Sequence, residues 1–306
     1  MSKNTAQHPQ VLRGIVMVMC AVVIFSFGDF LSKYLARFYP IGLIVWARYT
    51  FHLLFVVVVL MPRHGLALAR TARPGVQALR GLLLAVASVL FVWALKHMPL
   101  AESTAIAYLA PLIVTLMSVV FLKEKIELAR WIAVVCGFIG VLTIIRPGSS
   151  VFSWAVFLPM GNAVAFAAYQ ILTRRLYGID SPYTSIFYSG LVGSVLLSAA
   201  LPFTWMTPQN ALHAAALVSL GVLGGFGHLI LIKAYAYGPA SRLAPFGYSQ
   251  LIWVMAIGYF AFGDFPDRWS LLGIAILVAS GVYTATHQRI AGWLQREAQS
   301  NAPPSA

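Results

Sequence analysis

The chain has 306 residues, 60% of them hydrophobic and 9% charged, with a formal net charge of +13. A soluble domain carries about 25% charged residues, so this composition excludes an ordinary soluble fold and predicts a polytopic membrane protein. The basic residues are spread over short connections, so the charge reads as a topology signal and not as a nucleic-acid surface.

A span needs about 17–25 mostly apolar residues. Ten are predicted in chain order, at 14–36, 40–61, 79–98, 102–122, 128–146, 152–174, 182–204, 211–235, 241–262 and 268–287. Lone strands in lipid would leave backbone groups unpaired, so the expected fold is an all-α bundle. Lys3 and Arg13 precede an apolar run longer than a signal-peptide core, and no small-residue cleavage site closes it, so no cleaved signal is expected. Cys20 and Cys136 both fall inside apolar segments, which suggests neither a disulfide nor a zinc site. No metal and no cofactor is expected.

Fifteen Lys and Arg residues fall on one side of these spans, among them Arg63, Arg70, Arg73, Arg80, Arg174 and Arg175, and five on the other: Lys33, Arg37, Lys96, Arg146 and Arg268. The positive-inside rule then puts both termini in the cytoplasm, as expected for a multi-pass protein of a bacterial inner membrane.

The two halves repeat. Pro99 to Tyr108 matches Pro239 to Tyr248 at an offset of 140, and near the start of each half Phe25 pairs with Phe166 and Lys33 with Arg174 at about 141. Five spans per repeat is odd, so the second copy is expected upside down. Its charges agree: Lys123-Glu124-Lys125 corresponds to Gly263-Asp264-Phe265, which has lost both lysines. The predicted organisation is a stub at 1–13, a first five-helix repeat at 14–147, a second, inverted repeat at 148–288 and a polar tail at 289–306. Inverted repeats are a signature of secondary transporters, whose substrate site lies where the repeats meet.

Several motifs carry a resemblance. They include Pro99-Leu100-Ala101-Glu102-Ser103-Thr104-Ala105, Pro111-Leu112, Phe121-Leu122-Lys123-Glu124-Lys125, Arg130-Trp131, Gly137-Phe138-Ile139-Gly140, and in the second half Tyr169-Gln170, Gly227-His228, Ala234-Tyr235 and Ala244-Pro245-Phe246-Gly247-Tyr248. Together they resemble the EamA-type repeat of the drug/metabolite transporter superfamily, in order, over residues 11–287. The resemblance implies ten helices in two inverted five-helix repeats around a central cavity. It also implies transport of small metabolites such as amino acids, nucleotide-like compounds, vitamins or metal-chelating metabolites, with some members exporting and others importing. Asp29-Phe30 and Gly227-His228 look most similar to the branch that contains riboflavin and S-adenosylmethionine carriers and opine-metallophore exporters.

Of eight acidic residues, Asp29 alone lies well inside a span. A charge at that depth costs about 2.5–3.5 kcal/mol or more unless it is paired or faces water. Ser26, Asp29 and Lys33 share a helical face. Arg48 on the second span lies at matching depth, roughly 10–12 Å from the same end, with His52 one turn deeper. Asp29 and Arg48 therefore form a structural ion pair, or they belong to a substrate site or bind a coupling proton. His228, flanked by Gly224, Gly225 and Gly227, reads as a packing residue or as a pocket residue. Tyr108, its repeat partner Tyr248, Tyr169, Gln170 and Gln250 are helix glue or pocket lining, and Asn162 adds a further polar group. Trp93 is packing or cavity wall. Gln170 is the approximate repeat partner of Asp29.

No His-Glu-x-x-His zinc motif, Gly-x-Ser-x-Gly elbow, phosphate loop or Cys cluster is present, so no enzyme is expected. The expected function is a secondary transporter moving a small polar or zwitterionic metabolite by alternating access, with export favoured over uptake. Candidate substrates are an amino-acid-derived metabolite or metallophore, riboflavin and S-adenosylmethionine. The expected partners are that metabolite, the lipid bilayer and coupled protons, without nucleic acid; the sequence is silent on oligomeric state. The alternative is a non-transporting scaffold or an intramembrane enzyme.

Overall fold

The computed structural model describes residues 7–122, 128–148, 152–238 and 240–300. The start of the predicted stub, Lys123-Glu124-Lys125, Pro239 and residues 301–306 lie outside the described residues. The helices are α1 (Gln7–Leu35), α2 (Ile41–His64), α3 (Pro74–His97), α4 (Leu100–Ala107), α5 (Ala110–Leu122), α6 (Leu128–Ile145), α7 (Phe157–Leu176), α8 (Pro182–Thr204), α9 (Ala211–Ala236), α10 (Ala240–Gly247), α11 (Gln250–Phe262) and α12 (Arg268–Ser300). These twelve helices make ten spans, because α4 and α5 are halves of one span and α10 and α11 halves of another. The tail expected to be a polar stub from 289 instead continues α12 to Ser300.

Local chemistry sets the boundaries. Pro74 and Pro182 open α3 and α8 at positions where a missing N–H costs nothing. The Asn210 side chain accepts from the His213 N–H at 2.8 Å and caps α9. Gly263, with φ of 73°, takes the left-handed turn that ends α11.

Helix packing follows an inverted two-fold. α1 packs on α9 as α7 packs on α3, and α1 on α11 as α7 on α5. α2 packs on α9 as α8 packs on α3, and the repeat counterparts α2 with α8 and α6 with α12 pack on each other. At the last of these a Cβ on Gly140 would stand 2.8 Å from the Gly273 carbonyl oxygen, so only glycine allows this backbone approach.

The two broken spans meet. Tyr108 caps α4, and its hydroxyl lies 2.8 Å from the Gly247 carbonyl at the end of α10 and 3.0 Å from Gln250 Oε1 at the start of α11. The Tyr108 and Tyr248 rings are 5.1 Å apart. A break frees backbone carbonyls that lipid cannot satisfy, and here the other repeat supplies a donor.

Polar layers close the bundle at both sides. On the side where α1 begins, called here the terminal side, Arg80 is 1% exposed. Its guanidinium donates to Gln77 Oε1 (3.2 Å), Thr173 Oγ1 (3.2 Å), Ser189 Oγ (2.8 Å) and the Ser185 carbonyl, and lies 4.9 Å over the Tyr169 ring. Gln77 in turn donates to Asp180 at 2.8 Å, and Thr71 donates to the same carboxylate. The sequence reading counts Arg80 at the end of a span only as a topology-setting charge, whereas the structure buries it among polar partners. On the distal side Lys33 does not reach into water; it is 8% exposed, donates to the Met98 carbonyl at 2.6 Å and pairs with Asp264 at 3.3 Å. Arg146 pairs with Asp267 at 2.7 Å, and Ser270 donates to Glu102 at 2.9 Å.

Two outcomes are expected. Gly273→Val forces a side chain against Gly140 and Ile144, and overpacking of this kind costs about 1–3 kcal/mol. Thermal unfolding of the purified protein should fall accordingly, while Gly28→Val, where a Cβ meets nothing within 4 Å, should shift it less. Partial burial raises the pKa of Asp180, but hydrogen bonds from Thr71, Gln77 and the Ala72 N–H, with the Arg80 charge, outweigh it and leave the carboxyl below its usual value. Its stabilising contribution is complete above the unfolded-chain value of about 3.9 and is lost as pH falls through the lower folded value. Asp180→Asn should weaken the acid sensitivity of unfolding in that window, and an unchanged acid limb would show that the carboxylate is idle.

Candidate functional site

The repeats enclose a cavity of about 250 Å³. α1 contributes Phe25 and Asp29, and α2 contributes Arg48, Tyr49 and His52. From α3 come Leu84, Ala87, Ser88 and Phe91; α7 adds Asn162, Phe166 and Tyr169. Ile186, Ser189, Gly224, His228 and Gln250 complete the wall. The positions on each helix recur at helical spacing, which is why one face of each carries them.

Asp29 is 5% exposed. Its Oδ2 accepts from Gln250 Nε2 at 3.0 Å, and its Oδ1 stands 3.9 Å from Arg48 Nη2. The ion pair expected from depth is present, but it is loose, and the firmer partner of Asp29 is an amide of the other repeat. Arg48 keeps donors turned to the cavity because a 3.9 Å contact is too long for a hydrogen bond. His52 and His228 meet edge-on with ring centres 6.0 Å apart, and the Phe25 ring lies tilted 5.1 Å from His228. Among the described residues, buried His52 Nε2 has no hydrogen-bond partner. Elsewhere the polar groups are engaged: Tyr49 with Ser88 at 2.8 Å, and Asn162 with the Ala87 carbonyl at 2.9 Å. Aromatic rings of Phe25, Phe91 and Phe166 supply flat apolar wall, with Phe166 stacked 5.4 Å from Tyr169.

Of the residues singled out from sequence, Asp29, Arg48, His52, Tyr169, His228 and Gln250 come together at this lining, as does Asn162. Tyr108 stands behind it, bonded to Gln250. Tyr248 packs against Gly281, away from the lining. Ser26 is fully buried with its hydroxyl turned back to the Val22 carbonyl. Gln170 is half-buried outside the lining. Trp93 is 40% exposed and packs on Trp154, outside the lining.

Sequence reasoning did not place Tyr49, Ser88, Phe91 or Ser189 in a site. A usable signal existed in the repeat: Ser88 is the counterpart of His228, and Phe25 of Phe166, so paired positions point to one central space. Among the described residues no group of three or more His, Cys, Asp or Glu side chains converges as a metal site. The arrangement can hold a small solute by opposite charges on one wall, imidazoles on another and rings between them.

Comparison with known proteins agrees in architecture. The sequence profile of the EamA-like transporter family matches residues 12–146 and again 153–286. The S-adenosylmethionine uptake transporter of Rickettsia felis is 30% identical over 94% of this chain and 97% of that protein. The riboflavin transporter of Vibrio cholerae is 30% identical, covering 89% and 92%, and the pseudopaline exporter of Pseudomonas aeruginosa is 26% identical, covering 87% and 94%. A solved crystal structure superposes with a TM-score of 0.65 at 18% identity, covering 91% of this chain and 98% of that one, and supports the fold alone. With its two inverted repeats matched in succession, the chain belongs to the EamA-like transporter family.

Proposed function

We propose that this transporter is a secondary carrier for a zwitterionic metabolite with a flat ring, and that the two repeats rock around the central cavity to expose it alternately on either side of a bacterial inner membrane. The observation that carries the reading is the cavity between the repeats, where a carboxylate and a guanidinium stand 3.9 Å apart with aromatic rings beside them. Asp29 takes the cationic group of the substrate and Arg48 its carboxylate, while Phe25, Phe91 and Phe166 cover the ring.

S-adenosylmethionine fits this chemistry, with an amino-acid head, a sulfonium and an adenine, and relatives named for its uptake are 29–30% identical. Riboflavin fits the ring wall but brings no cation to Asp29. Relatives named for uptake are 29–30% identical and the exporters 26%, so the comparisons lend the expected preference for export no support. The charge asymmetry read from the sequence supports termini on the cytoplasmic side. A membrane scaffold has no use for a charged internal cavity, and the geometry offers no activated nucleophile for an intramembrane enzyme.

Proteoliposomes preloaded with S-adenosylmethionine should take up labelled S-adenosylmethionine by saturable counterflow; no flux of it, of riboflavin or of amino acids would sink the carrier reading. Hydrogen bonds to charged groups are worth about 1.5–3 kcal/mol, so Asp29→Asn should weaken apparent affinity roughly 10–100-fold and flatten the pH dependence of flux. Wild-type flux with an unchanged pH profile in that variant would remove Asp29 from substrate and proton handling alike.

A further inference from the structure

Among the described residues, Arg80 is a buried cation with no carboxylate against it. Its partners are an amide oxygen, two hydroxyls, a backbone carbonyl and the face of a tyrosine ring, all neutral. The Asp180 carboxylate is reached only through the intervening Gln77 amide. Neutral acceptors satisfy the guanidinium N–H groups, and the Asp180 charge acts on it only from the far side of Gln77, so no carboxylate is bonded to the cation directly. Two of those partners, Tyr169 and Ser189, are themselves cavity lining. Arg80 therefore stands one side chain beyond the cavity, on its terminal side, and its field reaches into it. Leu84, one turn along α3 on the same helical face, lines the cavity directly.

We propose that Arg80 is a second anion-binding position, which takes the substrate's carboxylate as it moves from the level of Asp29 and Arg48 toward the terminal side. The inference rests on the cavity being a transport site. Arg80 lies on α3 of the first repeat, while Thr173, Tyr169, Ser185 and Ser189 lie on α7 and α8 of the second. Parting the repeats on the terminal side must break these bonds. A carboxylate can replace two of the neutral acceptors with a bidentate charge-assisted pair, which is about twice as strong per bond. The substrate thereby lowers the cost of opening that side, and a solute lacking a carboxylate does not. Arg48 and Arg80 then act as successive stations, with His52 and His228 beside the path between them.

The test reads charge at Arg80 without needing the substrate. In the full chain carrying Cys20→Ser, Cys136→Ser and Leu84→Cys, the thiol is reacted with an anionic sulfonatoethyl and a cationic trimethylammonioethyl methanethiosulfonate. The anionic reagent should be favoured, and the ratio of rates should fall roughly tenfold in Arg80→Gln. The exchange Gln77→Glu/Asp180→Asn moves the carboxylate one link closer while keeping the guanidinium and its packing, and should lower the ratio as well; it serves if Arg80→Gln does not fold. A ratio unchanged in the folded variants overturns the anion position, whether or not any solute is carried. In counterflow, S-adenosylmethionine should be preferred over its decarboxylated form by roughly tenfold, and Arg80→Gln should reduce that preference to the part that Arg48 supplies. The same preference in wild type and variant overturns the proposal. Flux of neither compound refutes the substrate reading above, and the labelling ratio then decides Arg80 by itself.

Discussion

A charge set in hydrocarbon must find protein partners, and in this chain those partners come from the other repeat. Asp29 of the first repeat is held by Gln250 of the second, Lys33 by Asp264, and Arg80 by hydroxyls and a carbonyl of α7 and α8. Links within one repeat accompany them: Lys33 to the Met98 carbonyl at 2.6 Å, Arg80 to Gln77 at 3.2 Å, and Asp29 with Arg48, the loosest, at 3.9 Å. The cost of charge burial is thus turned into a set of joints across the plane where the two repeats meet. Those joints lie at three levels: the distal side, the cavity and the terminal side.

The levels are connected through the broken spans. Gln250 donates to Asp29 in the cavity and accepts from Tyr108 at the break between α4 and α5, while Tyr108 also reaches the Gly247 carbonyl at the break between α10 and α11. Anything that displaces the Gln250 amide from Asp29 loosens a contact between the two breaks. A broken helix bends where its backbone ladder is interrupted, so the cavity carboxylate is tied to the points at which the spans can flex.

Much of this was legible in the sequence. Ten apolar segments, the repeat offset and the lone acid at position 29 follow from composition and spacing, and they suffice for the bundle and its centre. The breaks at Tyr108 and Tyr248 do not show in hydropathy, which runs through them uninterrupted, although Pro111 removes the N–H that would bond to the Ala107 carbonyl at the end of α4. Arg80 was misread for a physical reason: near the end of a span, a buried arginine and a topology-setting arginine have the same sequence context. Gln170 was expected opposite Asp29 by repeat symmetry. The cavity face of α7 is set by Asn162, Phe166 and Tyr169, and one residue further turns about 100° away from it. Repeat offset fixes depth better than it fixes rotation about the helix axis.

The paired tyrosines carry a trace of ancestry. In a pair of identical repeats related by a two-fold, both would make the same bond to the opposite copy. Here Tyr108 reaches across to Gly247, whereas Tyr248 packs its ring against Gly281 of its own repeat. Once two copies share a single chain, such equivalent positions are free to diverge. One has become a hydrogen-bonded latch between halves, and the other meets it through ring contact with its hydroxyl turned to Gly281. Under the alternating access proposed for this carrier, a symmetric pair would open to both sides by equivalent strokes, whereas these two positions make different contacts in each half.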